Sequence, residues 1–206
     1  MLWLLGCVPW RRAAAAYLMM GVTTGGLHAL CPAAVPALRE EFGRVAAPAF
    51  FLAGLLITYV LAVAAHEAGH AVGAAWVGLS VRYARVGPFG FAQRGRRWIA
   101  RWDGWHPQVE GWIDCWGLEL APRRHAAVVL LAGPMASLVL GVAAAVLAVG
   151  DLHPLPGCWF GMFAVQSILF GAVNLVPDRA GEFKSDGLAL WRLLRGEKRT
   201  NAEQRV

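Results

Sequence analysis

Residues 48–76 read PAFFLAGLLITYVLAVAAHEAGHAVGAAW. From Pro48 to Ala65 no side chain carries a charge. A run of this length and character is that of a bilayer-spanning helix, which needs about 20 apolar residues. The pattern continues past His66, Glu67 and His70 to about Gly78, so one expected span covers 48–78. Ionisable groups inside such a helix are rare unless they are paired or functional. Residues four apart share a helix face, so His66 and His70 present their imidazoles side by side, with Glu67 next to them in sequence. His-Glu-x-x-His is the spacing with which two histidines hold one Zn²⁺ while the glutamate acts as general base. The competing reading is a helix end at the membrane surface, with His and Glu exposed to headgroups.

The rest of the chain has the same character. Its 206 residues are 58% hydrophobic, with a mean hydropathy of +0.50, above the roughly half-apolar make-up of soluble domains. Three further spans are expected, at about 13–35, 125–150 and 157–176, within a single domain covering 1–206. The stretch after Arg11 and Arg12 is too long for the apolar core of a signal sequence, so the first span is expected to be retained. Cys7, Cys31, Cys115 and Cys158 form no C-x-x-C pair and read as small apolar residues or free thiols.

Charge sets the expected orientation. The net charge is +6. If the N-terminus is cytoplasmic and four helices cross, every Lys and Arg of the 19 except Arg39 and Arg44 falls inside. That is the asymmetry of the positive-inside rule. The basic excess is then explained by anionic lipid rather than nucleic acid, for which no motif is present. A protein integral to the cell membrane with both termini cytoplasmic is expected.

Between the second and third spans, residues 79–124 alternate apolar and polar side chains around Gly-Pro and Arg-Gly breakers, a strand-and-turn pattern. The expected fold is therefore an all-α membrane protein of about four transmembrane helices, with a cytoplasmic-side β-hairpin-like loop. Trp98, Trp102, Trp105, Trp112 and Trp116 suit either the bilayer interface or packing on one another. Val81 to Phe91 reads as an edge strand near the histidines, able to pair with an extended substrate at Arg82 or Tyr83. After Gly187 the tail reads as a short basic amphipathic helix.

Catalytic zinc takes three protein ligands, so a third is required. His28, His106, His125 and His153 read more simply as polar residues near an interface. Asp178 and Asp186 both follow the inner end of the fourth span, at the depth of His66 and His70. The plain alternative for Asp186 is an N-cap of the helix that follows.

These residues resemble the site-2 protease family of intramembrane zinc metalloproteases. The resemblance lies in His66-Glu67-Ala68-Gly69-His70, in Leu131-Ala132-Gly133-Pro134, and in Asn174-Leu175-Val176-Pro177 followed by Asp186-Gly187. It spans residues from about 50 to 187. It implies Glu67 as catalytic base, His66, His70 and Asp186 as zinc ligands, and Asn174 as a group binding substrate backbone or the developing oxyanion. The Asn-to-Asp segment is longer than is usual in the family, which leaves Asp178 as a rival ligand. Ser137 stands where many members carry Asn. The expected activity is endoproteolysis in or near a transmembrane segment of a membrane-protein substrate. The alternatives are an inactive homologue that binds metal and a small metal transporter.

The topology is testable. A cysteine placed at Gly95 should react with impermeant reagents only from the cytoplasmic face; labelling only from outside would reverse the orientation.

Overall fold

The computed structural model describes residues 21–30, 32–104, 111–150, 153–180 and 183–197. Helix α1 is described over 21–30. Then follow α2 (Ala34–Trp76), strands β1 (Ser80–Val86), β2 (Phe89–Arg94), β3 (Arg97–Trp102) and β4 (Gly111–Trp116), and helices α3 (Arg123–Val149) and α4 (Pro154–Leu175). A small hairpin, β5 (Arg179–Ala180) and β6 (Phe183–Lys184), leads into α5 (Asp186–Leu194).

Among the described residues three helices are long and apolar enough to cross a membrane: Pro36–Trp76, Arg123–Val149 and Leu155–Leu175. They correspond to the expected second, third and fourth spans. Of the expected span at 13–35, residues 13–20 and 31 lie outside the described residues, and 21–30 form α1. Helix α2 starts earlier than expected, and its helical run is interrupted at Gly43, where φ is 73°. Pro48 comes one turn later, so its missing N–H forfeits only the bond to the Arg44 carbonyl.

The described residues fall into two compact units, one within Met1–Thr58 and Ala143–Gln166, the other within Tyr59–Val142 and Ser167–Val206. In the first, Leu27, Leu38, Ala47, Leu55, Cys158 and Met162 form the core. Phe42 stacks on Phe50 at 4.3 Å, and Trp159 meets Phe50 edge-on. Gln166 is buried and donates from Nε2 to the Leu55 carbonyl at 3.1 Å, a polar bond between apolar helices, while its Oε1 has no partner among the described residues.

In the second unit the expectation of an all-α chain with a hairpin is corrected. The loop is a four-stranded antiparallel sheet, ordered β3-β2-β1-β4. The first three strands follow the alternating, aromatic-rich pattern of 80–102, and β2 and β3 are joined across Gly95 and Arg96 with Arg94 opposite Arg97. The fourth lies beyond the Asp103-Gly104 break and returns to pair with β1. β1 is thus hydrogen-bonded on both sides. From Tyr83 to Val86 it is paired on both sides, so the expected substrate pairing at Tyr83 is corrected; Arg82 falls at an irregularity opposite β4 and has no register partner in β2 or β4. Among the described strands the open edges belong to β3 and β4. The same face of the sheet that carries Ala84 and Ile113 packs with Cys115, Leu118, Ala74, Ala126, Val129, Leu130 and Leu193. The core therefore joins β4 to α2, α3 and α5. Further out, Trp98 and Trp102 on β3 are exposed.

Burial pushes the Cys115 thiol up to about 12, with the nearby Asp114 and Glu67 carboxylates adding to the shift. Only the thiolate is reactive. At pH 8 iodoacetamide should leave Cys115 unmodified in the folded protein and alkylate it after denaturation, as read by peptide mass spectrometry. Rapid modification of the folded chain would mean that β4 is not packed in this core.

Candidate metal centre

The site lies within the second unit and begins with the approach of α2 to α3. Gly69 lies against Ala132, Gly133 and Ala136, and Gly73 against Ala132 and the backbone of Val128 and Val129. Small residues at this spacing let two membrane helices come close. Close approach brings His70 onto α3. A side chain at Gly133 would overlap the His70 ring. The ring is fully buried, and its Nδ1 donates to the Val129 carbonyl at 2.7 Å. A carbonyl only accepts, so the proton of neutral His70 sits on Nδ1 and Nε2 keeps its lone pair.

One turn earlier, His66 Nδ1 lies 3.1 Å from Ser137 Oγ. Val129, Gly133 and Ser137 follow one another at intervals of four, so a single face of α3 receives both histidines. Phe170 of α4 meets the His66 ring edge-on at 4.8 Å. The Nε2 atoms of His66 and His70 then face each other at 3.1 Å.

Asp186 completes the group. Its Oδ2 is 2.9 Å from His66 Nε2 and 3.4 Å from His70 Nε2. The alternative reading of Asp186 as the cap of α5 is overturned by its neighbour. Ser185 is the N-cap, and its Oγ accepts from the Leu188 N–H. Ser185 Oγ also donates to the Val176 carbonyl at 2.6 Å and accepts from the Asp178 N–H at 3.0 Å. The residues that lengthen the Asn-to-Asp segment fold out as the β5–β6 hairpin, so Ser185 returns to the end of α4. Any side chain at Gly187 would collide with the Leu175 carbonyl. Asp186 is thereby freed from capping and turned inward.

His66, His70 and Asp186 are all buried and offer the donor set for a metal ion. Tetrahedral zinc with ligands at 2.0–2.1 Å separates them by about 3.3–3.4 Å. The observed separations of 2.9, 3.1 and 3.4 Å are those of such a set slightly contracted. Burial alone would raise the Asp186 carboxyl, but the charge of a protonated His70 and hydrogen bonds from His66 and from that protonated ring hold it down at about 2. It is a carboxylate at neutral pH, as a ligand must be.

Glu67 is also buried, and its Oε2 has no hydrogen-bond partner among the described residues. Its other oxygen lies against Gly111, the first residue of β4, where there is no room for a Cβ. A buried acceptor left without a donor calls for an explanation, and a chemical role is one.

The other expected residues stand apart. Asn174 donates from Nδ2 to the Phe170 carbonyl of its own helix at 3.0 Å and is not part of the cluster. Asp178 is exposed and outside it. His28 and His153 are exposed, and His125 is half-buried at the start of α3; His106 lies outside the described residues. Sequence reasoning did not assign roles to Ser137, Val129 or Gly111. A lone hydroxyl four residues after Gly133 in an apolar helix was the one available signal for Ser137.

The chain matches no protein-family model, no curated protein and no solved structure.

Gly133→Ala should force His70 away from Val129. Overpacking of this kind costs about 1–3 kcal/mol. The variant should unfold at lower temperature and retain less metal than wild type in parallel purifications. Wild-type values for both would show that His70 is not packed against Gly133.

Proposed function

We propose that this protein is a membrane-embedded zinc endopeptidase, similar to the site-2 protease family, that hydrolyses a peptide bond in or near a transmembrane segment of another membrane protein. The observation that carries this reading is the convergence of His66, His70 and Asp186 on one buried point. With the His70 proton committed to Val129, its Nε2 lone pair faces a carboxylate and a second imidazole in a buried pocket. Such a group is stable only with a proton or a cation among its members. Two imidazoles and one carboxylate are the ligands that suit zinc, and three protein ligands leave a position open for catalysis.

His66, His70 and Asp186 would hold the ion. When bound, zinc supplies a Lewis acid that polarises the scissile carbonyl and makes water at the site nucleophilic near neutral pH. Glu67 adjoins the ligands in sequence and keeps one carboxylate oxygen unengaged. In this role it takes the proton that the attacking water loses and delivers it to the departing amine. Burial among apolar helices excludes competing water and strengthens these interactions.

A transmembrane substrate is helical and must unwind before its backbone reaches the site, and its freed amides then need partners. The open edge of β4, whose first residue abuts Glu67, is the place where an extended segment would be paired. In this reading the protein resides in the cell membrane with both termini in the cytoplasm, and its partners are the lipid bilayer and a membrane-protein substrate.

The test is metal content beside cleavage. The purified wild type, reconstituted with a panel of single-span membrane peptides, should carry about one zinc per chain and cleave at least one peptide. His66→Ala and Asp186→Ala should lose zinc, and Asp178→Ala should keep it. Glu67→Gln should keep zinc and cleave about 10²–10⁴-fold more slowly, the usual contribution of a general base. Full activity in Glu67→Gln would sink the mechanism. Zinc binding without any cleavage would favour a metal-binding protein that is not a protease.

A further inference from the structure

The two histidines differ in what holds their outer nitrogen. His70 Nδ1 meets a carbonyl, which accepts only. His66 Nδ1 meets a hydroxyl, which both accepts and donates. Ser137 is fully buried, so water does not replace it. The His66 ring is held from the side by Phe170 at 4.8 Å and by His70 at 4.8 Å, both edge-on. It has little freedom to turn, and the remaining freedom is where its single proton sits.

We propose that Ser137 is a positioning residue that lets His66 exchange between two tautomers, one satisfied without metal and one that ligates it. In the metal-free protein the Ser137 O–H donates to His66 Nδ1, and His66 Nε2–H donates to Asp186 Oδ2 across 2.9 Å. For ligation Nε2 must give up its hydrogen. His66 then carries its proton on Nδ1, the Ser137 hydroxyl rotates to accept it, and Nε2 and Asp186 are free to bind the ion. His66 holds one proton in both arrangements, so none is gained or lost. A carbonyl at this position would forbid the first arrangement, and a methyl group would support neither. The outer partner of a ligating histidine orients the ring and raises its basicity, and removing such a partner weakens metal binding about 10–100-fold.

Gly171 of α4 keeps this contact in place. A Cβ there would come within 3.0 Å of Ser137 Cβ and 2.9 Å of the Pro134 carbonyl. Helix α4 thus closes over Ser137 at the same level at which Phe170 meets His66.

The inference rests on the metal-binding part of the proposed function and not on proteolysis. Its test is the affinity of the full-length protein for Zn²⁺ and Co²⁺ by competition with a chromophoric chelator. Ser137→Ala should weaken both about 10–100-fold and alter the Co²⁺ visible spectrum. Ser137→Thr, which keeps the hydroxyl, should restore both. Ser167→Ala removes another fully buried hydroxyl, one with no partner among the described residues, and should change neither. In ¹⁵N-histidine spectra of the wild type, His66 should be the Nε2–H tautomer without metal and the Nδ1–H tautomer with Zn²⁺. This last readout needs no variant and decides the matter even if Ser137→Ala folds poorly. Wild-type affinity in Ser137→Ala, a Thr variant as weak as Ala, or one His66 tautomer in both states would overturn the inference while leaving the proposed function standing. A wild type that binds neither ion would overturn both.

Discussion

The 2.7 Å hydrogen bond from His70 Nδ1 to the Val129 carbonyl joins two closely packed apolar helices, and much of the second unit follows from it. The bond forms only if α2 and α3 pack closely, which Gly69, Gly73 and Gly133 permit by carrying no side chain where the helices touch. Once formed, it commits the His70 proton and turns a lone pair inward. A lone pair in a buried, apolar setting needs a donor or a cation. His66, on the same face of α2, and Asp186, from a distant part of the chain, meet it there. The polar cluster and the helix packing therefore depend on one another.

Delivery of Asp186 is a problem of backbone geometry. The carboxylate sits in the first turn of α5, where negative charge is favoured by the helix dipole, and a residue there is easily drawn into capping. Ser185 prevents this by taking the cap and tying itself to Val176 and Asp178. Gly187 allows α5 to begin against the Leu175 carbonyl. The sheet serves the same end from another side. Ile113 and Cys115 of β4 are anchored in the core that α2, α3 and α5 share, and this brings Gly111 against Glu67.

The surroundings fit a bilayer. Large apolar side chains such as Leu52, Leu56, Leu61, Val139, Val142 and Val146 are exposed along α2 and α3, as helix faces that meet lipid are. Against that background the polar groups are conspicuous for being paired: His66 with Ser137, His70 with Val129, Gln166 with Leu55. Glu67 Oε2, Gln166 Oε1 and Ser167 Oγ depart from the pattern among the described residues, and of these residues only Glu67 adjoins His66 in sequence.

The sequence by itself determined three of the helices and two members of the buried cluster. The long apolar runs of 48–76, 125–150 and 157–176 leave no other economical way to bury their surface, and the four-residue spacing of His66 and His70 is a local property of any helix. The same is true of the strand pattern through 80–102. The rest depended on contacts between residues far apart in the chain. Asp186 and Asp178 are alike in composition and depth, and only the folding-out of the β5–β6 hairpin and the capping by Ser185 decided which one turns inward. The pairing of β1 on both sides from Tyr83 to Val86 was decided by β4, a strand that returns after a break. Ser137 and Val129 became partners of the histidines because α2 and α3 cross where glycines let them touch. Periodicity along a chain records which face of an element is apolar; which element that face meets, and at what height, is settled only when all the faces are packed together.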